Sequence, residues 1–195
     1  GYGYKCASYH EFGIESTSAY SFTSKMIEYI EKHTENESRP FFNFLSIVEP
    51  HYPHVVPKEI WDMYEGVEFK IPEVMDDDIE KKASRFAVKQ RAQHADEATY
   101  EDKQNYLRAY YSFVTLFDMQ VGRIVDALKE KGLFDNTLLM VTSDHGEFAF
   151  NHNMYKKDLV LQEDLLHIPM IVSLPKTVCR DKTHLPVRID GLAEQ

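Results

Sequence analysis

The residues of this chain best equipped for chemistry fall in two short stretches. One reads Thr142-Ser143-Asp144-His145-Gly146-Glu147. The carboxylate of Asp144 and the imidazole of His145 make a good ligand pair for a divalent cation. Gly146 lets the backbone turn sharply beside them. Taken alone, the tripeptide Asp144-His145-Gly146 is equally well explained as a turn with a helix cap. His152, Lys156 and Lys157 follow downstream. A lysine in such a loop can hold an anionic oxygen as a compact point charge, although the ordinary fate of a loop lysine is a solvated surface. The other stretch reads Glu49-Pro50-His51-Tyr52-Pro53-His54. His51, pinned between prolines, suits general-acid work or anion binding. His54 competes with it, and spacing alone selects neither. Cys6 has no recognisable helix start or cationic partner in the sequence and reads as a structural or incidental thiol. No Gly-x-Ser-x-Gly elbow and no Cys-x-x-Cys pair occurs, which argues against a serine hydrolase and a zinc knuckle.

These residues need elements to position them. Residues 1–17 read as irregular. Helical spacing of Tyr20, Met26, Ile27 and Ile30 predicts a helix over 18–33. The run Phe41-Phe42-Asn43-Phe44-Leu45-Ser46-Ile47-Val48 reads as a buried strand, and Pro50, Pro53 and Pro57 make the next stretch a stiff loop. Residues 58–98 read as a variable insertion, with a short helix near 58–64 and a solvated helix from about Asp76 to Gln93. The triplet Asp76-Asp77-Asp78 suits that helix's N-terminus better than a calcium loop. Thr99 and Asp102 signal the start of a long helix. Its expected apolar face is Tyr106, Leu107, Tyr110, Tyr111, Val114, Phe117, Val121, Ile124, Val125 and Leu128, and Gly132 supplies its stop. Strands are expected at 138–142 and 170–174. Strand, helix, strand is a βαβ pattern, so the expected fold is α/β with a mostly parallel sheet flanked by helices. Sites in such sheets form beyond the carboxyl ends of strands, which selects the loops after Val48 and after Thr142.

The bulk properties agree. The chain has 195 residues and is 43% hydrophobic, enough for one folded domain. A formal net charge of −10 argues against nucleic acid as a partner, and no apolar run reaches the roughly 20 residues that span a membrane. Cys6 and Cys179 leave the redox compartment open. The chain starts at Gly1 rather than Met, so a missing N-terminus is expected.

As an ordered set, these pieces resemble the sulfatase family within the alkaline phosphatase superfamily. The matching residues are Arg39 to Ser46, Glu49 to His54, Tyr110-Tyr111-Ser112, Asp118 to Leu128, Gly132 to Thr137, Thr142 to Glu147, then His152, Lys157, Glu163, Ile168 and Pro169. The resemblance implies one partial catalytic domain over 1–195 with an alkaline-phosphatase-like, incomplete fold. It implies hydrolysis of a small sulfated substrate in a divalent-metal site, calcium in the first instance. Asp144 and His145 fall on two of the metal ligands. Lys157 falls on the lysine that contacts the sulfate, and His51 on the histidine that contacts it and can protonate the leaving oxygen. His152 matches a frequent histidine of the loop, near the substrate. The chain departs from the family pattern in lacking the Cys- or Ser-x-Pro-x-Arg motif, whose Cys or Ser becomes formylglycine. It also lacks the family's two consecutive Asp residues near the N-terminus that complete the metal shell, and Asp76-Asp77-Asp78, which follows the first expected strand, cannot stand in for them in that order. Formylglycine is therefore expected in a missing N-terminal part, and the chain alone is expected to be inactive. Two alternatives remain: a phosphoryl or phosphonyl hydrolase of the same superfamily, and a non-catalytic metal- or anion-binding module.

Overall fold

The computed structural model describes residues 3–36, 39–73, 92–157 and 160–176. Its regular elements, in chain order, are β1 (Ser8–His10), α1 (Ser18–Asn36), β2 (Val55–Pro57), α2 (Lys58–Asp62), α3 (Tyr100–Glu130), β3 (Leu139–Thr142), α4 (Glu163–Leu166) and β4 (Met170–Ser173). The expected solvated helix at 76–93, with its acidic triplet, lies largely outside the described residues, as does Cys179.

The long helix α3 is the spine, and both of its ends are set by local sequence. The Thr99 side chain accepts from the amide of Asp102, and the Asp102 carboxylate accepts from the amide of Thr99, a reciprocal capping box. At the other end Gly132 takes φ 68°. The amide of Leu133 donates to Leu128 O at 2.8 Å and that of Gly132 to Lys129 O at 2.9 Å, the Schellman arrangement that closes the last turn. Helix α1 is held at its first turn by two side chains. The Tyr20 amide donates to Thr17 Oγ1 at 3.2 Å, and Glu49 Oε1 accepts from Ser18 Oγ at 2.8 Å and the Ala19 amide at 3.4 Å. A carboxylate there complements the helix dipole, and it ties the 49–54 loop to α1.

The two long helices pack together with β2 and α2 over a core of Ala19, Val56, Ile60, Trp61, Ala109, Phe113 and Leu116. Arg123 reinforces the junction, donating to Ser24 Oγ and Gln120 Oε1, both at 2.8 Å, with its guanidinium 3.9 Å from the Tyr20 ring centre. The buried face of α3 is thus rotated from the expected one. Tyr106, Leu107 and Leu128 are buried as expected, but Ala109, Ser112, Phe113, Leu116 and Gln120 are buried too, while Tyr111 and Val114 are exposed. The small residues Ala109 and Ser112 lie in this buried stripe, and a count of large apolar side chains overlooks them.

Helical layering agrees with the expected fold class, but strand pairing differs. Residues 41–48 alternate between half-buried and exposed, as an extended strand does, yet among the described residues they belong to no ladder. Phe42 and Phe44 are 90% and 83% exposed. Two short ladders form instead. β1 pairs with β2 in parallel, from Ser8 opposite Val55 to His10 opposite Pro57. β3 pairs with β4 antiparallel, from Leu139 opposite Ser173 to Thr142 opposite Met170. The expected mostly parallel sheet is therefore not what these residues form. A βαβ pattern gives strand order but not partners, and β4 reverses direction because the 143–169 segment doubles back. No helix among the described residues is long and apolar enough to cross a membrane.

Leu116 is fully buried. Leu116→Ala is expected to lower unfolding free energy by about 2–5 kcal/mol, read from urea denaturation midpoints. A loss under about 0.5 kcal/mol, the range of an ordinary surface substitution, contradicts this core assignment.

Candidate active-site loops

The segment after β3 leaves the strand at Ser143 and returns through α4. It is built around Gly146. A Cβ on that residue would lie 1.9 Å from the carbonyl oxygen of Asp164, and the Gly146 amide donates to Leu165 O at 2.9 Å. Only glycine permits this approach to α4. Beside it, Asp144 is exposed and His145 half-buried. The His145 Nδ1 is 2.8 Å from Gly146 O. A carbonyl can only accept, so Nδ1 carries the proton and Nε2 presents a lone pair. That Nε2 is 3.7 Å from Asp144 Oδ1, a separation that lets one cation with bonds of roughly 2.3 Å touch both atoms. The two residues fit as part of a metal shell. Among the described residues no third His, Cys, Asp or Glu joins them.

Glu147 organises the rest of the loop. Its Oε1 accepts from Tyr106 Oη at 3.0 Å, from the Ala149 amide at 3.2 Å and from the Lys156 amide. Burial raises the pKa of its carboxyl above the usual carboxylate value, and the three donors offset that only in part. The loop it spans is strained. Ala149, Phe150, His152, Asn153 and Lys156 all have φ between 47° and 71°, a region that disfavours side chains. Buried Phe148, Phe150, Met154 and Tyr155 anchor it. Tyr4, Tyr106, Phe150 and Tyr155 form one aromatic cluster, which joins the loop to α3.

The sequence-selected residues on this loop separate. His152 Nε2 lies 3.5 Å from Asp164 Oδ2, with Asn151 donating to the same carboxylate, so His152 braces the loop against α4. Lys157 is exposed. Lys156 is half-buried, its Nζ 3.9 Å from the Tyr52 ring centre.

Tyr52 belongs to the second loop. Cis peptides precede Pro50 and Pro53. His51 is exposed and stacks on Tyr52 with ring centres 4.5 Å apart, and its Nδ1 is 2.6 Å from Tyr52 O. Because that carbonyl too can only accept, the lone pair of His51 is on Nε2. His54 is a different residue altogether. It is 2% exposed and packed edge-on to Tyr106 at 4.6 Å. Its Nε2–H donates to Pro50 O at 2.9 Å, and its Nδ1 has no partner. Burial holds its pKa down at about 4. Of the two histidines, only His51 is free to meet a ligand.

The structure thus brings His51, Tyr52, Lys156 and Glu147 into one connected set, with His145 two residues from Glu147. Residue type and spacing do not single out Glu147, Tyr106 or Tyr52 as site residues, and they leave Lys156 level with Lys157. Glu147 carries one usable signal, a carboxylate directly after the Asp-His-Gly turn.

Known proteins share this sequence pattern and this fold. The family model described as Sulfatase matches residues 2–193. The chain is 26% identical over 160 residues to the choline-sulfatase of Rhizobium meliloti (strain 1021), covering 80% of this chain and 31% of that protein. It is 30% identical over 145 residues to an arylsulfatase of Clostridium perfringens (strain 13 / Type A), covering 74% of this chain and 30% of the relative. Its fold matches a phosphonate monoester hydrolase from Silicibacter pomeroyi with a TM-score of 0.74 at 24% identity, over 84% of this chain and 34% of that one. The chain therefore spans about a third of the length of the relatives it matches.

The buried neutral His54 sets a pH dependence. Its folded pKa, about 4, lies below the unfolded value of about 6.5. The unfolded chain therefore binds the extra proton, and the stability that His54 contributes is full above pH ~6.5 and lost as pH falls toward 4. At pH ~4.5 the wild type is expected to have lost about 2 kcal/mol more than His54→Phe, each relative to pH ~7. Urea unfolding of both proteins at the two pH values measures this, and equal losses contradict it.

Proposed function

The chain belongs to the sulfatase family, and on that premise we propose that it carries part of a hydrolytic centre for sulfate monoesters. The observation that carries the reading is the folding back of the 144–157 loop. Glu147 and Tyr106 hold it so that the Lys156 limb meets the His51 loop at Tyr52. A candidate metal pair and a histidine with an available lone pair then sit on neighbouring, braced loops.

In this reading Asp144 and His145 hold a divalent cation, calcium in the first instance, through Oδ1 and Nε2. Bound there, such an ion supplies Lewis-acid stabilisation of negative charge on the sulfuryl oxygens. His51, once protonated, binds the sulfate and gives its proton to the leaving oxygen, and the exposed Lys157 approaches the anion from the solvent side. His152 acts at one remove, keeping the loop against α4 through Asp164. The nucleophile is not among the residues of this chain. Formylglycine, generated from a Cys- or Ser-x-Pro-x-Arg sequence that the chain lacks, would fill that role. The choline and aryl esters named for the relatives define the substrate class to test first. The phosphonyl hydrolase alternative keeps the same residues, and it is favoured by the resemblance in fold to a phosphonate monoester hydrolase.

Two outcomes are expected. The chain binds calcium by isothermal titration, and Asp144→Ala weakens that binding at least about tenfold; calcium binding that ignores Asp144 contradicts the metal assignment. With calcium and nitrophenyl sulfate, the chain shows no turnover; metal-dependent turnover would overturn the proposal that its nucleophile lies elsewhere.

A further inference from the structure

The extended run from Phe41 to Val48 has a covered face and an open one. Phe41, Asn43, Leu45 and Ile47 are half-buried. Ile47 packs on the core between the long helices, and Phe41 meets His33 of α1 edge-on at 5.3 Å. Phe42, Phe44 and Val48 alternate with these and are 90%, 83% and 58% exposed. A strand with one face in water carries polar residues on that face, whereas a strand covered on both faces is apolar throughout. This run has the second pattern, with Ser46 the one polar residue among the outer positions. The backbone makes the same demand. Among the described residues, no amide or carbonyl from Phe41 to Ile47 takes part in a hydrogen bond. Backbone groups beside a half-buried face are nearly always paired in folded proteins. Between the run and α1 lies a groove of about 380 Å³, lined by Phe22, Met26, Tyr29 and Phe44. Asn43 also lines it, and its Nδ2 is buried without a partner among the described residues.

We propose that residues 41–48 are a docking edge for a further β-strand of the same polypeptide, one that lies outside these 195 residues. That strand pairs with the free amides and carbonyls of the run and sets apolar side chains beside Phe42 and Phe44, as cross-strand neighbours do. The length of the relatives selects this occupant over a second copy of the chain. The matched residues make up 31% of the choline-sulfatase and 34% of the phosphonate monoester hydrolase, so most of a protein of that kind lies beyond them. An apolar edge of this length left open would invite aggregation. The proposal depends on the pattern and surroundings of the run and not on which ester is hydrolysed.

Hydrogen exchange followed by mass spectrometry, peptide by peptide, compares this chain with the natural polypeptide that contains it. The amides of 42–48 are expected to exchange near the unprotected rate in the chain and at least about 100-fold slower in the natural polypeptide. Equal exchange in the two overturns the proposal. So does protection already present in the chain: if it grows with concentration the occupant is a second copy, and if it does not the occupant is a segment of the chain itself. A natural polypeptide that ends with these residues overturns it as well. A substitution gives an independent check. Phe44→Glu is expected to leave the thermal midpoint of the chain within about 1 °C and to lower that of the natural polypeptide by roughly 5 °C or more. Equal shifts in the two proteins contradict the docking edge. A natural polypeptide that protects 42–48 yet hydrolyses no sulfate ester keeps this proposal and removes the sulfatase reading.

Discussion

One carboxylate oxygen holds the candidate site together. Glu147 Oε1 receives the hydroxyl of Tyr106 from α3 and the amides of Ala149 and Lys156 from the two limbs of the loop. Five non-glycine residues within that loop sit at positive φ, each costing on the order of 1–2 kcal/mol. Such a backbone persists only where its surroundings over-determine it. Here these are the Glu147 bonds, the buried aromatic cluster and the close contact of Gly146 with α4. Without Glu147, two loop amides and a tyrosine hydroxyl lose their acceptor in a partly buried setting, and the strain is no longer offset.

The second loop is braced from a different side. Glu49 binds the first turn of α1, and buried His54 bonds Pro50 O while packing on Tyr106. Tyr106 therefore touches both loops, through its hydroxyl on one and its ring on the other. A change at this helix position would move both halves of the candidate site together. The ends of α3 are fixed by Thr99, Asp102 and Gly132, so the register of Tyr106 follows from local sequence.

Much of the scaffold is legible in the amino-acid sequence. The helix expected over 18–33 is Ser18–Asn36, and the Thr99 cap and the Gly132 stop are where their chemistry requires. β3 and β4 fall at Leu139–Thr142 and Met170–Ser173, close to their apolar runs. The ladder of β1 with β2 is not legible. One strand lies in a stretch that reads as irregular, the other in a proline-rich loop, and three residues each carry too little periodicity to register. The extended character of 41–48 is present in its pattern, but partners are a tertiary matter and the pattern does not contain them. The same holds at the site. Residue types offer Asp144 and His145 as a ligand pair and leave His51 and His54 as rivals, between which the family resemblance chooses His51, whereas the work of Glu147 depends on a tyrosine 41 positions earlier. Lys156, half-buried over Tyr52, and Lys157, exposed, differ in burial that residue type does not foretell.

Asp144 and His145 are proposed as the metal-bearing edge of a loop already shaped by Glu147. The most direct measurement is a crystal structure of the chain grown with calcium, with the ion located by its anomalous scattering. The expected result is one peak within about 2.6 Å of both Asp144 Oδ1 and His145 Nε2, with the three bonds to Glu147 intact. A peak elsewhere, or none at a calcium concentration that saturates the titration, would contradict it.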